Sequence, residues 1–379
     1  MSRFLASITL VAAFAMVARA DELPKEIKAL EVALEKAGKN RKELEDAIDK
    51  SSKETRKGMQ FLIAHMPDGD LKTLKADFLL ENAKLAYDAK AKVPWGKDIP
   101  EDLFFNNVLP YANLDESRDP WRKELFDLAM PIIEKCKTAA EATELLNKEL
   151  FPKLKVKYST KRKAPNQSPK ESIETGLASC TGLSILLSDA CRAVAIPTRV
   201  VGTPLWSNKR GNHTWLEIWD GDWHFTGACE PDKLDRGWFV GDASQAKKDV
   251  PEHAIYAASF AKTKSHFPLV WAPDSKTVHA ENVTDRYAKK EAIKADVVRV
   301  FIRATSEKKQ RIAIDVIVEQ PKKKGQLRGT TKAETADTND FLTFELAPEA
   351  DYILTANGQT LEFKTGKGGT SQTVEVKGK

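Results

Sequence analysis

The stretch GLASCTGLSILLSDACRAVAIP, residues 176–197, constrains the fold more than any other part of the chain. Leu183, Ile185, Leu186, Leu187, Ala190 and Val194 give it a broad apolar surface, which predicts a core helix from about 179 to 194 that stops before Pro197. The helix opens on the small residues Gly176, Ala178 and Ser179, with Ser179 as N-cap and Cys180 in the first turn. Free N–H groups and the helix dipole stabilise an anion there, and such a position can bring a thiol from about 8.5 into the range of roughly 3.5–7.5. A free cysteine also packs as a small hydrophobe, and Cys191, about three turns on, reads as core.

On the N-terminal side of this helix the pattern is helical. Residues 22–92 carry apolar positions at three- and four-residue spacing among Glu and Lys. Pro94, Pro100, Pro110 and Pro120 break 93–121 into an irregular wrapping segment. Two helices are expected near 121–136 and 138–149, then a polar loop at 159–172. On the C-terminal side, TRVVGTPLW (198–206) reads as a strand, and NHTWLEIW and WHFTGACE flank Asp220-Gly221, a short-hairpin signal. A helical or irregular stretch reaches about 290. The tail, with DVVRVFIRA, RIAIDVIVE, FLTFELA, DYILTA and TLEFKT separated by turns such as Asn357-Gly358, predicts a β-sandwich of about 90 residues.

The first residues set the expected compartment. MSRFLASITLVAAFAMVARADE has Arg3, an apolar run over 4–17, and Ala18-Arg19-Ala20 ahead of two acids. This reads as a secretory signal cleaved after Ala20; the run is short for a membrane span and no second one follows. The expected location is periplasmic or extracellular, with no integral membrane segment after cleavage. Loss of residues 1–20 removes Arg3 and Arg19 and no acid, lowering the net charge from +5 to +3. The lysines are scattered among glutamates as solvated faces, which argues against a nucleic-acid partner. Four cysteines, Cys136, Cys180, Cys191 and Cys229, are too few for a disulfide scaffold, and with Cys180 a free thiol at most one pair forms. Metal-ligand spacings are missing, so no metal or cofactor is expected, and no G-x-S-x-G elbow supports a serine hydrolase.

His213 begins the strand HTWLEIW. Alternation puts His213, Trp215, Glu217 and Trp219 on one face and Thr214, Leu216 and Ile218 on the other. If the hairpin loop is Gly221-Asp222, Glu230 falls opposite His213; if it is Asp220-Gly221, Ala228 does. A carboxylate opposite the imidazole would hold its tautomer and stabilise the imidazolium, so Glu230 is the candidate third member, with Asp232 in reserve. Asn106 or Asn107 could donate to an oxyanion, or cap a turn. Trp206, Trp215, Trp219, Trp223 and Trp238 cluster nearby as cleft walls or as core, and His224 reads as structural or as part of the rim.

ASCTGLSILLSDACRAVAIPTRVVGTPLW followed by GNHTWLEIWDGDWHF resembles the core of the transglutaminase-like superfamily, which comprises transglutaminases, bacterial cysteine proteases and peptide N-glycanases. The resemblance is sharp over 176–240 and implies a papain-like α+β core in which a Cys helix packs on an antiparallel sheet, with Cys180 as nucleophile and His213 as base. The family usually sets an Asp four residues after the tryptophan of the second strand; Gly227 stands there, and Glu230 and Asp232 are the nearest acids.

The expected organisation is a signal peptide at 1–20, a helical region at 21–95, a transglutaminase-like core at 96–285 and a β-sandwich accessory domain at 290–379. The expected function is an exported thiol enzyme on amide bonds of peptides or proteins, by hydrolysis or acyl transfer through a thioester. The competing reading is a catalytically silent module of the same fold that binds protein or glycan.

Overall fold

The computed structural model describes residues 25–288, 296–321 and 323–378, so the expected signal segment lies outside the described residues. The chain divides into two compact units between Tyr87 and Asp88. In the first, the amphipathic helices α1 (Lys25–Lys36), α2 (Arg41–Lys50), α3 (Arg56–His65) and α4 (Asp68–Leu71) pack through Leu44, Met59, Leu62 and Ile63. Buried Asn40 donates to the Leu71 and Leu74 carbonyls, closing the turn after α4. Helix α5 (Ala76–Lys92) runs across the boundary.

The second unit opens with α6 (Glu101–Asn107), α7 (Arg122–Ile133) and α8 (Ala139–Leu154). Helix α6 stands inside the segment expected to be irregular, because Pro100 sits at its N-cap, where a missing N–H costs nothing. A two-residue strand β1 (Lys157–Tyr158), helix α9 (Pro169–Thr175) and strand β2 (Leu177–Ala178) lead into α10 (Cys180–Ala193). Strands β1 and β2 pair in parallel.

Helix α10 is the core helix expected from its pattern. Ser179 Oγ accepts from the Gly182 N–H at 3.0 Å, and the helix ends at Val194, ahead of Ala195 in the left-handed region. Every residue after Cys180 is buried, including Ser184, Ser188, Asp189 and Arg192, so each polar side chain needs a partner. Arg192 donates to the carbonyls of Asn107, Ala112 and Thr198, and Ser188 and Asp189 hydrogen-bond Asn113. Arg122, from α7, takes the carbonyls of Val108, Leu109, Pro110 and Arg192. Carbonyls of the irregular 108–112 backbone are thus taken by side chains of two helices that follow it in sequence, α7 and α10.

Helix α10 packs on a six-stranded antiparallel sheet formed by β3 (Thr198–Thr203), β4 (His213–Trp219), β5 (Trp223–Thr226), β6 (Tyr256–Ser259), β7 (Ser265–His266) and β8 (His279–Asn282), in the order β5-β4-β3-β6-β8-β7. Helices α11 (Val240–Ala243) and α12 (Thr284–Tyr287) are single turns. The stretch after the hairpin, up to about 290, reads from its sequence as mostly helical or irregular; β6 and β8 within it are short and carry Ala, Ser, His and Asn where a strand signal needs β-branched residues. The hairpin follows neither expected register. Trp219 pairs with Trp223, leaving a three-residue loop with Gly221 at φ +80°, and β5 ends at Thr226.

Seven strands follow: β9 (Val298–Thr305), β10 (Asp315–Glu319), β11 (Gln326–Thr330), β12 (Leu342–Leu346), β13 (Asp351–Ala356), β14 (Gln359–Lys364) and β15 (Thr370–Lys377). They form sheets ordered β11-β10-β13-β14 and β12-β9-β15, whose inner faces share one cluster with Val300, Ile302, Val318 and Leu354. The Asn357-Gly358 turn has positive φ at both residues, as a tight hairpin requires. Strands β11 and β15 were not anticipated, since QLRGT has one large apolar residue and TSQTVEVK is mostly polar.

Replacing Arg192 with Met would strand three buried carbonyls and leave Asp189 with less opposing charge. The expected loss is about 3 kcal/mol or more, read as a lower urea midpoint. A loss below about 1 kcal/mol would mean that water replaces the guanidinium at no cost.

Candidate active site

Cys180 is the first residue of α10, so its backbone N–H has no intrahelical acceptor. The lead-in is rigid: Ser179 Oγ also donates to the Pro165 carbonyl, and Ala178 O accepts from the Ser159 N–H at 2.9 Å. The helix meets β4 through Thr181 Oγ1, 3.0 Å from Thr214 Oγ1, and Ser184 Oγ, which donates to Thr214 O at 3.3 Å. This contact brings the Thr214 backbone N–H to the Cys180 sulfur and places His213 one residue away.

The alternation along β4 is as expected. Thr214 faces α10, while His213 and Trp215 face an aromatic core; their rings stack at 5.7 Å, with Trp206 and Phe239 packed around them. Glu217, further along that face, is buried and bound by Arg199, Arg286 and the Tyr287 hydroxyl, and Trp215 Nε1 donates to that hydroxyl at 2.8 Å. The W-x-E pattern is therefore a structural anchor for the strand that presents His213.

His213 is 4% exposed, and its Nε2 has no hydrogen-bond partner. Burial pushes its imidazole down to about 3, with the Arg210 charge adding and the Asp337 carboxylate opposing. Cys180 is partly exposed, and no hydrogen bond joins it to His213. The thiol was expected below its ordinary range and lies above it. Burial is the main cause, and Asp337 adds to it, outweighing the Thr214 N–H, the Thr181 hydroxyl and the Arg162 charge. The resting pair is a neutral thiol and a neutral imidazole.

Glu230 lies in the turn after β5, which Asn147 of α8 shapes by accepting from Cys229 N and donating to the carbonyls of Gly227 and Glu230. Its Oε1 accepts from Trp238 Nε1 at 2.9 Å rather than from His213, and Trp238 lies against the imidazole with ring centroids 4.7 Å apart. Burial raises the Glu230 carboxyl, and the Trp238 bond opposes the rise. A Cβ at residue 227 would come within 2.3 Å of Glu230 Oε2, so glycine there leaves room for this carboxylate. Asp232 is exposed and caps the Lys233 N–H. Asn106 accepts from Ala261 N and Ser259, and Asn107 donates to Thr198 O; both serve backbone away from the thiol. His224 pairs with Asp235 at 2.7 Å. Trp206 and Trp215 are core, while Trp238 is 41% exposed beside the site. All four cysteines are free thiols. Among the described residues no group of His, Cys, Asp and Glu could hold a metal ion, and no helix is long and apolar enough to cross a membrane.

Sequence reasoning missed Asp337. The loop between β11 and β12 carries it to the mouth of the site, where it accepts from the Tyr158 hydroxyl. Nothing in a polar loop more than a hundred residues from His213 signals that placement.

Residues 127–243, which contain Cys180, His213 and Glu230, match the family model of the transglutaminase-like superfamily. This segment is similar to a transglutaminase-like core, and it lies on a mixed helix-and-sheet unit. Three solved structures are similar. A candidate cysteine protease from Cytophaga hutchinsonii has 20% identity and a TM-score of 0.29 over 36% of this chain and 44% of its own. Red sea bream transglutaminase has 11% identity and a TM-score of 0.34 over 72% of this chain and 66% of its own. A candidate protease from Parabacteroides distasonis has 9% identity and a TM-score of 0.26 over 62% of this chain and 36% of its own. The chain thus spans less than half of the first of these and just under two thirds of the second. No curated protein matches the chain.

A His213 that stays neutral when folded makes stability fall with acid. As pH drops from about 6.5 towards 3, the unfolded chain binds a proton at this residue and the folded chain does not. The stability difference between wild type and His213→Phe should therefore shift against the wild type by up to about 1.4 kcal/mol per pH unit in that window. Urea unfolding at pH 7, 6 and 5 measures it; parallel curves would mean that the ring is protonated in the fold.

Proposed function

We propose that this protein is an exported thiol enzyme that acts on amide bonds of peptides or proteins, with Cys180 as nucleophile and His213 as general base. One observation carries the reading: a thiol in the first turn of a buried helix meets the backbone N–H of Thr214, the residue that follows a buried imidazole whose Nε2 has no partner. Leaving such an atom unsatisfied costs about 1–3 kcal/mol, a cost expected where a proton must move. The family match over the same residues supports the assignment.

His213, kept neutral by its surroundings, is in the state a base requires. It takes the Cys180 proton as Sγ bonds to the carbonyl carbon. The oxyanion meets the Cys180 N–H; the C–N bond then breaks, and the imidazolium gives its proton to the leaving amine. Water, activated by the same ring, resolves the thioester. No hydrogen bond joins the two side chains at rest, and theirs forms only when substrate binds, as is common for unliganded sites. Glu230 acts on His213 through Trp238, which fixes the ring's plane. The β-strand tail acts as an accessory sandwich domain, and the site lies in the periplasm or outside the cell. Hydrolysis is preferred over transfer, since nothing marks an amine site.

The neutral pair at rest favours one alternative, a silent module that binds protein or glycan. A fluorogenic peptide-amide panel separates the two. Cys180→Ala should abolish turnover, His213→Ala should lower kcat by about 10²–10⁴, and Glu230→Gln by about tenfold or less. Wild type with no turnover, or turnover that survives Cys180→Ala, would sink the enzyme reading.

A further inference from the structure

The β11–β12 loop is held both by the lead-in to Cys180 and by the segment before His213. On the side of the Cys180 lead-in, Asp337 accepts from the Tyr158 hydroxyl and Thr335 O accepts from Thr160 Oγ1 at 3.3 Å. On the side of His213, Asn339 accepts from Trp206 Nε1 at 3.0 Å and donates to Asn212 O at 2.6 Å. A Cβ at Gly211 would lie 2.8 Å from Thr338 Oγ1, so the loop and the 205–212 backbone are in close approach. Arg311 holds the loop's own shape by donating to the carbonyls of Ala336, Asp337 and Asp340.

Within this clamp the Asp337 carboxylate has two neutral donors, the Tyr158 hydroxyl and the Asn339 N–H. Burial and Asp337 itself push the Tyr158 phenol far up, so it stays a donor. Among the described residues Asp337 has no ion-pair partner. The cations whose charge reaches this region are Arg162, near Cys180, and Arg210, near His213; Arg210 is paired with Asp242 at 3.4 Å. The other acid beside the site, Glu230, is turned to Trp238. A carboxylate with no ion pair, felt by Cys180, His213 and Arg210, opposes thiolate formation, so thiol activation does not explain it.

We propose that Asp337 selects substrates carrying a positive charge next to the scissile amide, a lysine-like ammonium or a free amino group, and that this charge docks between the loop and Cys180. The cation supplies the direct ion pair that the clamp lacks, Arg210 acting on Asp337 only at longer range. It also cancels the negative field at the sulfur, so a matched substrate makes the thiolate easier to form at the moment it is needed. This inference rests on the thiol-enzyme reading.

Charged thiol reagents test it without a known substrate. The full-length protein is treated with trimethylammonioethyl, sulfonatoethyl and methyl methanethiosulfonate, and modification of the Cys180 peptide is followed by mass spectrometry. The ratio of cationic to anionic rates cancels any change in thiol acidity. We expect wild type to favour the cationic reagent by about tenfold or more, Asp337→Asn to lose most of that preference, and Asp337→Glu to keep it. Circular dichroism melts check that each variant is folded; if Asp337→Asn is not, Asp337→Glu set against Tyr158→Phe, which loosens the carboxylate, makes the same comparison. A ratio near one in wild type, or one unchanged by Asp337→Asn, overturns the proposal while leaving the thiol enzyme standing. Equal acceleration of all three reagents in Asp337→Asn also overturns it and makes the loop a plug. A Cys180 inert to every reagent overturns both readings.

Discussion

Two buried guanidinium groups hold the helical part of the second unit together. Arg122 and Arg192 bind six carbonyls of the 107–112 backbone and Thr198 between them, Arg192 O in addition, and so tie α6, α7, α10 and the start of β3 into one body. Burial lowers both cations, Arg122 to about 9, and Asp189 and Glu116 offset part of that cost. A helix buried on every side has no solvent-facing stripe to set its rotation. Here the polar contacts set it, and with it the direction in which Cys180 emerges.

From that fixed helix the site follows by short steps. The Thr181–Thr214 contact fixes α10 against β4, and the Glu217 cluster fixes β4 from its other face. Cys180 is thus brought to the Thr214 N–H, one residue along the strand from His213, by residues on opposite sides of that strand. The same enclosure that positions them keeps them uncharged, the thiol raised and the imidazole lowered. Helix-terminus electrostatics alone would have favoured a resting thiolate; desolvation wins because the surrounding protein replaces water that would otherwise stabilise either charge.

Local pattern made part of this legible. The period of 176–197 located the core helix, Ser179 its start, and alternation in HTWLEIW sorted the two faces of β4 correctly. What failed was what local pattern does not encode. The hairpin adopted a loop length that Asp220-Gly221-Asp222 permits as readily as the two considered, and β5 ends at Thr226, before any of its residues could pair with His213. Strands β6 and β8 are held by their neighbours rather than by their own composition. Asp337 reaches the site through a loop shaped by Arg311 and received by Gly211 and Tyr158, a placement that exists only once both β-sheet regions have formed.

The loop's attachment both to the Cys180 lead-in and to the segment before His213 has a thermodynamic corollary. Free-energy coupling between two sites is reciprocal. If the hold of Asp337 and Asn339 on Tyr158, Trp206 and Asn212 alters how readily Cys180 ionises, then whatever occupies Cys180 alters, by an equal free energy, how firmly the β-strand tail grips the core. Each acylation and release would then be registered as a change in amide-exchange protection between β11 and β12, on strands that never touch the reacting bond.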